Sequence, residues 1–173
     1  MNGHIFIIGG QHGDEPTGIE ICRMLMPIKE KGKVLILPCA NPIGYEQNTR
    51  DNNGVDMNRA YNDLLEDQEL GKKIDTIKEA CKSASLVIDV HSTFESMLEE
   101  PCILLNQYAE EYRGIMDIEE YQSEAPEGSL RWFCDQHKVP MITYEAVEID
   151  PVCEDQVNTG VDQILAVLNE VLD

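Results

Sequence analysis

Short apolar runs that are rich in branched residues limit this chain to a narrow set of folds. Most of them show no alternation between polar and apolar residues, which is typical of strands buried on both faces of a sheet. The runs lie at residues 5–8, 34–37, 86–90, 102–105 and 141–143. Helical spacing of apolar residues predicts helices at 16–26, 68–82, 108–116, 128–137 and 155–172. This alternation predicts an α/β protein with three α/β/α layers and a mainly parallel, mixed central sheet.

The length and charge of the chain restrict its organisation and its partners. We expect residues 1–173 to form a single domain, because this length suffices for one substantial core. The formal net charge is −20, from 33 acidic and 13 basic residues. Nucleic acid and anionic membrane surfaces both require a positive face, so neither is an expected partner. An arginine within a site therefore stands out, because the rest of the molecule repels an anionic substrate.

The cysteines and the amino terminus predict a reducing compartment. The six cysteines at 22, 39, 81, 102, 134 and 153 form no CxxC motif and no short metal-type spacing. The chain begins with a predicted strand and has neither a basic segment nor a long apolar segment of the kind found in secretion signals. No stretch approaches the length needed to span a bilayer. We therefore expect a cytoplasmic protein with reduced, buried thiols.

Three residues in two separate segments form a candidate metal site. His12 and Glu15 are three residues apart where the first apolar run gives way to a helix, and this spacing places two ligands on one face. His91 directly follows another predicted strand, as does Glu145, so parallel strands would bring these side chains to one edge. Two histidines and a glutamate form a catalytic zinc set. Alternatively, Glu15 is a first-turn carboxylate favoured by the helix dipole, and His91 is a hydrogen-bonded histidine at a strand end.

The irregular stretch at residues 39–62 carries the second candidate group. Loops of this length in compact domains are usually functional or disordered. Arg50 and Arg59 lie nine residues apart around an Asn-Asn-Gly turn. An arginine can pair with a carboxylate through two hydrogen bonds or stabilise a developing oxyanion. The alternative is that both arginines form exposed ion pairs that contribute little to stability.

Together, five blocks of sequence resemble the zinc carboxypeptidase superfamily in their order and spacing. They are HGDE at 12–15, NP at 41–42, Arg50 with GVDMNR at 54–59, DVHS at 89–92 and TYE at 143–145. Within that superfamily the chain is most similar to the succinylglutamate desuccinylase/aspartoacylase branch. The pattern of that branch includes HGxE, a DLNR-like loop, a DLH-like strand end and a final TxE.

The resemblance implies a role for each matching residue in the metal site. His12, Glu15 and His91 would bind one zinc ion per chain. Asp56 matches an acidic position that orients the first zinc histidine, a partner that such ligands ordinarily need. Residues 1–173 would then form a single zinc-hydrolase catalytic domain.

The resemblance also implies roles in the reaction. Glu145 would be the general base, and Arg50 would help to polarise the scissile carbonyl. Asn58 and Arg59 would hold the carboxylate of the substrate. The expected activity is hydrolysis of an amide bond in a small, anionic N-acyl amino acid.

Two other functions remain open at this stage. The loop at residues 49–56 also resembles murein-peptide amidases of the same superfamily, which favours a metallocarboxypeptidase or amidase acting on a short peptide. A relative that binds metal or ligand without catalysis is the second alternative.

The chain also departs from its resemblance in two respects. We expect a short form, because only one predicted helix follows Glu145, where aspartoacylase carries a β-rich C-terminal domain over the site. Whether a partner subunit replaces that domain is open, and a homo-oligomer is compatible with the sequence. Many carboxypeptidases also place a tyrosine over the substrate; it has no clear counterpart here, where Tyr121 and Tyr144 are candidates and Tyr121, in an acidic stretch, is more simply a surface tyrosine.

Overall fold

The computed structural model describes residues 3–28, 33–62 and 65–172. The strands within these residues are β1 (His4–Gly9), β2 (Val34–Leu37), β3 (Ala84–Phe94), β4 (Cys102–Leu105), β5 (Glu119–Glu120) and β6 (Met141–Glu148). The α-helices are α1 (Pro16–Leu25), α2 (Pro42–Gln47), α3 (Gln68–Ser83), α4 (Leu130–His137) and α5 (Glu154–Leu172). None of the described helices is both long enough and apolar enough to cross a membrane.

The strands form one mixed sheet in the order β2-β1-β3-β6-β4-β5. Strands β2, β1, β3 and β6 run parallel, whereas β4 is antiparallel to β6 and parallel to β5. Helices α1 and α5 contribute to one hydrophobic core, and α3 and α4 contribute to the other. The predicted three-layer α/β/α fold with a mainly parallel sheet is therefore confirmed.

Strand β3 shows why its sequence lacks simple alternation over residues 86–90. Leu86, Ile88 and Val90 pack in the core beside α1 and α5, while Val87 packs in the core beside α3 and α4. Both faces of a central strand are buried, so both sets of positions are apolar. Asp89 interrupts this pattern on the α3/α4 side, and it is buried.

The predicted helix at 108–116 is wrong. The structure has only a short 3₁₀ turn there, Glu110–Tyr112. Arg113 is extended, and Gly114 has a φ of +77°, so the chain leaves helical geometry after one turn. The apolar residues of this segment still reach the core as single anchors, because Ala109, Tyr112 and Met116 are buried.

The structure also contains a helix that was not predicted, α2 within the long loop. Asn41 caps it by accepting a hydrogen bond from Gly44 N at 2.9 Å, and Pro42 occupies its first turn. Strands β3 and β6 are longer than the apolar runs that predicted them. As a result, His91 and Glu145 lie within strands rather than directly after them.

Candidate metal and substrate site

Two glycines shape the turn between β1 and α1 that carries His12 and Glu15. Gly10 has a φ of +63°, a conformation that favours glycine, and a Cβ there would lie 2.7 Å from a side chain of α1. At Gly13, a Cβ would lie only 2.0 Å from the carbonyl carbon of Gly44. The absence of side chains thus lets this turn pack directly against α2 and hold both candidate ligands at the sheet edge.

The structure brings the three predicted metal ligands together. Glu15 accepts one hydrogen bond from His12 Nδ1 at 2.6 Å and another from His91 Nδ1 at 2.8 Å. One ligand atom from each residue lies within 4.8 Å of those of the other two. Two imidazole nitrogens and a carboxylate around one point are a ligand set found in catalytic zinc sites.

The outer nitrogen of each imidazole is held by its own carboxylate. His12 Nε2 donates to Asp56 Oδ1 at 3.2 Å, and His91 Nε2 donates to Asp89 Oδ2 at 3.0 Å. Histidines that bind metal usually donate their second ring N–H in this way, so the arrangement fits zinc. Sequence reasoning identified Asp56 but missed Asp89. The signal was available, because residues two apart on a strand share a face and DVH therefore pairs Asp89 with His91.

Glu15 attracts both imidazoles, whereas the charges of the two imidazoles repel each other. Burial alone would lower the pKa of His12, but hydrogen bonds with Asp56 and Glu15 outweigh it and raise that pKa. Burial also opposes protonation of His91, yet the charges of Asp89 and Glu15 raise its pKa well above the ordinary value. Burial disfavours the Glu15 anion, but the two imidazoles lower its pKa to about 2. Both histidines therefore bind protons more strongly than free imidazoles do.

Zinc binding is expected to release protons from this cluster. Because the pKa values of both histidines are raised, we expect the metal to displace protons from these imidazoles when it binds. Calorimetric titration of the metal-free protein in buffers with different ionisation enthalpies measures the number of released protons directly. The apparent zinc affinity should fall as the pH is lowered from 8 to 6. A pH-independent affinity without proton release would contradict the assignment of two imidazole ligands.

A cavity of about 290 Å³ adjoins the three candidate ligands. Its lining includes every other candidate site residue except Asp56, namely Arg50, Asn58, Arg59 and Glu145. Asp56 lies behind His12 and also accepts a hydrogen bond from Arg50 Nε at 3.1 Å. The structure therefore gathers all the predicted site residues around the end of β1 and the carboxyl-terminal halves of β3 and β6.

The two predicted arginines have different surroundings. Arg50 bonds to Asp56, and its Nη1 lies 3.7 Å from Glu15 Oε1. Arg59 is exposed and donates to the carbonyl oxygen of Asn58 at 2.6 Å. Among the described residues, no carboxylate lies within 4.0 Å of the Arg59 guanidinium. Arg50 is thus anchored beside the metal ligands, whereas Arg59 is available to an incoming anion.

Asn58 is already part of the framework around the cavity. Its amide oxygen accepts a hydrogen bond from Leu130 N at 2.8 Å, at the start of α4. Its amide nitrogen therefore points the other way and lies 3.3 Å from His91 Nε2. This orientation leaves the N–H group of the side chain for any contact with a substrate.

Glu145 is a carboxylate of the cavity lining that lies outside the three-residue ligand cluster. It pairs with His91 across β6 and β3, so both side chains leave the same face of the sheet. Thr93 Oγ1 donates to it at 3.1 Å. Burial raises the pKa of Glu145, and the charge of His91 only partly opposes that shift. A raised pKa brings a carboxylate closer to the range in which a general base works best.

Arg131 in α4 is a cavity residue that sequence reasoning missed. It is only 9% exposed, and it donates through Nη2 to Ser123 Oγ at 2.9 Å and to the Glu124 carbonyl at 3.1 Å. Within residues 3–28, 33–62 and 65–172, no carboxylate lies within 4.0 Å of it. Burial lowers its pKa. No motif marked this residue, since a single arginine in a predicted helix is ordinarily a surface group.

Neither candidate tyrosine lines the cavity. Tyr144 is fully buried on the α1/α5 side of the sheet, and its hydroxyl has no hydrogen-bond partner among the described residues. Tyr121 is 47% exposed and donates to Glu119. Neither tyrosine is therefore a counterpart of the substrate-covering tyrosine in the described part of the chain, because alternation along β6 turns Tyr144 away from Glu145 and Tyr121 lies outside the cavity lining.

A comparison with family models identifies one match. The model described as "Succinylglutamate desuccinylase/Aspartoacylase catalytic domain" matches residues 2–171. A comparison with curated proteins gives no significant sequence match.

Solved structures share the fold over almost the whole chain. The tripeptide-bound cell shape determinant Csd4 from Helicobacter pylori superposes with a TM-score of 0.77 at 18% identity, covering 97% of this chain and 51% of Csd4. The product-bound ectoine utilisation protein EutE (DoeB) from Ruegeria pomeroyi gives 0.79 at 15% identity, covering 96% and 56%. A succinylglutamate desuccinylase from Silicibacter sp. TM1040 gives 0.78 at 15% identity, covering 97% and 57%. The chain thus spans little more than half the length of these structures.

Proposed function

Since the chain belongs to the succinylglutamate desuccinylase/aspartoacylase catalytic-domain family, we propose that it is a zinc-dependent hydrolase that removes the acyl group from a small N-acyl amino acid. The observation that carries this proposal is the convergence of His12, Glu15 and His91 beside a cavity that also contains Glu145. In this proposal residues 1–173 act as one catalytic domain.

His12, Glu15 and His91 would hold one zinc ion per chain. Zinc, when bound, supplies Lewis acidity that activates water near neutral pH and polarises the scissile carbonyl. The protein contributes the orientation of the two imidazoles, which Asp56 and Asp89 fix through their outer nitrogens.

Glu145 moves the proton in the proposed reaction. Its carboxylate takes a proton from the attacking water and then delivers it to the nitrogen of the leaving amine. Thr93 keeps the carboxylate in place through its hydrogen bond. Arg50 donates to the carbonyl oxygen as negative charge develops there, and the stabilisation it provides is greatest in the transition state.

The cavity favours a substrate that carries negative charge. Arg59, together with the amide nitrogen of Asn58, would bind the carboxylate of the amino acid. Arg131 adds a further positive charge to the cavity lining, with no protein carboxylate within 4.0 Å of it in the described residues. In a protein with a net charge of −20, these arginines locally offset the repulsion of an anionic substrate.

Cleavage of a short peptide is the second candidate function, and one observation favours it. A second cavity of about 410 Å³ shares Ser123, Glu124 and Arg131 with the first. A peptide extending past Arg131 would find room there, whereas a small acyl group would not need it. A non-catalytic relative is the remaining alternative.

A substrate screen separates these functions. The purified protein, loaded with zinc, is assayed for amine release from N-acetyl and N-succinyl amino acids and from γ-glutamyl peptides. We expect hydrolysis of an N-acyl amino acid that has a free carboxylate. Turnover of the peptides alone would support the peptidase function. Binding without turnover of any of these compounds would overturn the hydrolase proposal.

The two predicted arginines should differ in the kinetic constant that they affect. Arg59→Ala should raise KM with little change in kcat, because the carboxylate is bound equally in ground and transition states. Arg50→Ala should mainly lower kcat. Both side chains retain access to solvent, so we expect about 2 kcal/mol for each, or roughly 30-fold.

The amide of the same substrate is the control for this comparison. The parent enzyme should prefer the carboxylate to the amide, and Arg59→Ala should lose that preference, whereas Arg50→Ala should keep it. Effects below about 1 kcal/mol in both variants would show that the arginines are ordinary surface ion-pair partners.

A further inference from the structure

A chain of buried polar groups extends away from the candidate metal site into the protein. It runs from Tyr61 through Gln11 and Asp89 to His91, and each of these residues is at most 3% exposed. Buried polar networks of this kind are costly unless every member is satisfied. Tyr61 and Gln11 take no part in the reaction described above, so their hydrogen bonds call for another explanation.

Each hydrogen bond in this chain has a defined direction. The Tyr61 hydroxyl donates to Gln11 Oε1 at 2.7 Å. This contact fixes the orientation of the amide, because only its oxygen can accept. Gln11 Nε2 then faces Asp89 and donates to both carboxylate oxygens, at 2.8 Å each. The amide thereby holds the Asp89 carboxylate in one plane and one position.

Asp89 passes this orientation to the imidazole of His91. Its Oδ2 accepts from His91 Nε2 at 3.0 Å. The amide nitrogen of Asn58 also lies 3.3 Å from Nε2. An amide N–H group can only donate a hydrogen bond, so it cannot accept one from His91 Nε2–H. With its Nε2–H committed to Asp89, the ring presents Nδ1 to Glu15, 2.8 Å away.

We propose that Tyr61 and Gln11 are positioning residues that fix the His91 ring so that Nδ1 faces the metal. This inference rests on the proposed zinc function. It also links two parts of the site, because Tyr61 follows Arg59 by two residues in the loop that binds the substrate. The Asp89–His91 pair is thus the inner half of a longer series of hydrogen bonds that begins at Tyr61.

Tyr61→Phe tests this inference with a minimal change, since it removes one hydroxyl from a buried ring. Tyr144→Phe is the matched control, because Tyr144 is equally buried but its hydroxyl has no hydrogen-bond partner in the described residues. Competition with a zinc chelator measures the dissociation constant for zinc. Loss of outer partners typically weakens metal binding 10- to 100-fold. We expect about 10-fold weakening for Tyr61→Phe and none for Tyr144→Phe.

Gln11→Met provides a second, stronger variant. It keeps the length of the side chain but removes both donors from Asp89, so we expect zinc binding to weaken by up to about 100-fold. In the zinc-loaded proteins, the NMR resonance of the His91 Nε2 proton should shift in both variants, in the direction of a weaker hydrogen bond. A purely structural role would not move this resonance. Thermal unfolding of the metal-free variants establishes that they are folded.

The outcomes separate this inference from the function on which it rests. Unchanged zinc affinity and an unchanged His91 resonance in Tyr61→Phe and Gln11→Met would overturn the inference alone. Equal weakening in Tyr61→Phe and Tyr144→Phe would also overturn it, because any buried hydroxyl would then matter. Failure of the unsubstituted protein to bind zinc would overturn the proposed function and this inference together.

Discussion

Glu145→Gln is expected to lower kcat at least about 100-fold while leaving the fold and the zinc content unchanged. Glutamine has nearly the same shape, but its amide cannot accept a proton from water at neutral pH or return one to the leaving amine. Glu145 does not belong to the three-residue cluster that could hold the metal, so its loss should not release zinc. Steady-state hydrolysis of the substrate found in the screen, together with elemental analysis, measures both quantities.

Glu119→Gln is the control for this comparison. Glu119 is an exposed carboxylate on β5, on the same sheet but outside the cavity lining. The same chemical change there should leave kcat within about twofold of the parent value, as expected for a surface substitution. If Glu145→Gln turned over near the parent rate, another group would have to be the base.

Most of the architecture could be predicted from the sequence. Strands buried on both faces give continuous apolar runs, whereas helices buried on one face give apolar residues at a spacing of three to four. Pattern alone failed at residues 108–116, where three apolar anchors have helical spacing but the backbone departs from helical geometry before Gly114. It also failed at α2, which is too short to show periodicity. The cue there was Asn41 followed by Pro42, a cap and a first-turn residue rather than a repeat.

The site residues that belong to sequence motifs could be predicted. Single residues that reach the site from the surrounding helices and loops could not. Two blocks, HGDE and DVHS, mark the three candidate ligands, and the structure brings them together. Arg131 belongs to no block. It reaches the cavity only because α4 packs beside β6 and the segment at residues 123–126 folds over it.

The hydrogen-bond series from Tyr61 to His91 was likewise not predictable from the sequence. Tyr61 and Gln11 are 50 residues apart in sequence, and the bond between them exists only because the long loop packs on the end of β1. Local spacing carries no information about such a pair. Tertiary packing decides which buried polar groups meet, so the outer part of the site required the structure.

The most direct test of this account is the zinc content of the protein, measured together with its activity. Elemental analysis should find about one zinc ion per chain in the parent protein and essentially none in the His12→Ala/His91→Ala double variant. Removal of the metal with a chelator should abolish hydrolysis, and one equivalent of zinc should restore it in the parent protein only. Stoichiometric zinc in the double variant, or full activity after the metal has been removed, would contradict a hydrolase built on His12, Glu15 and His91.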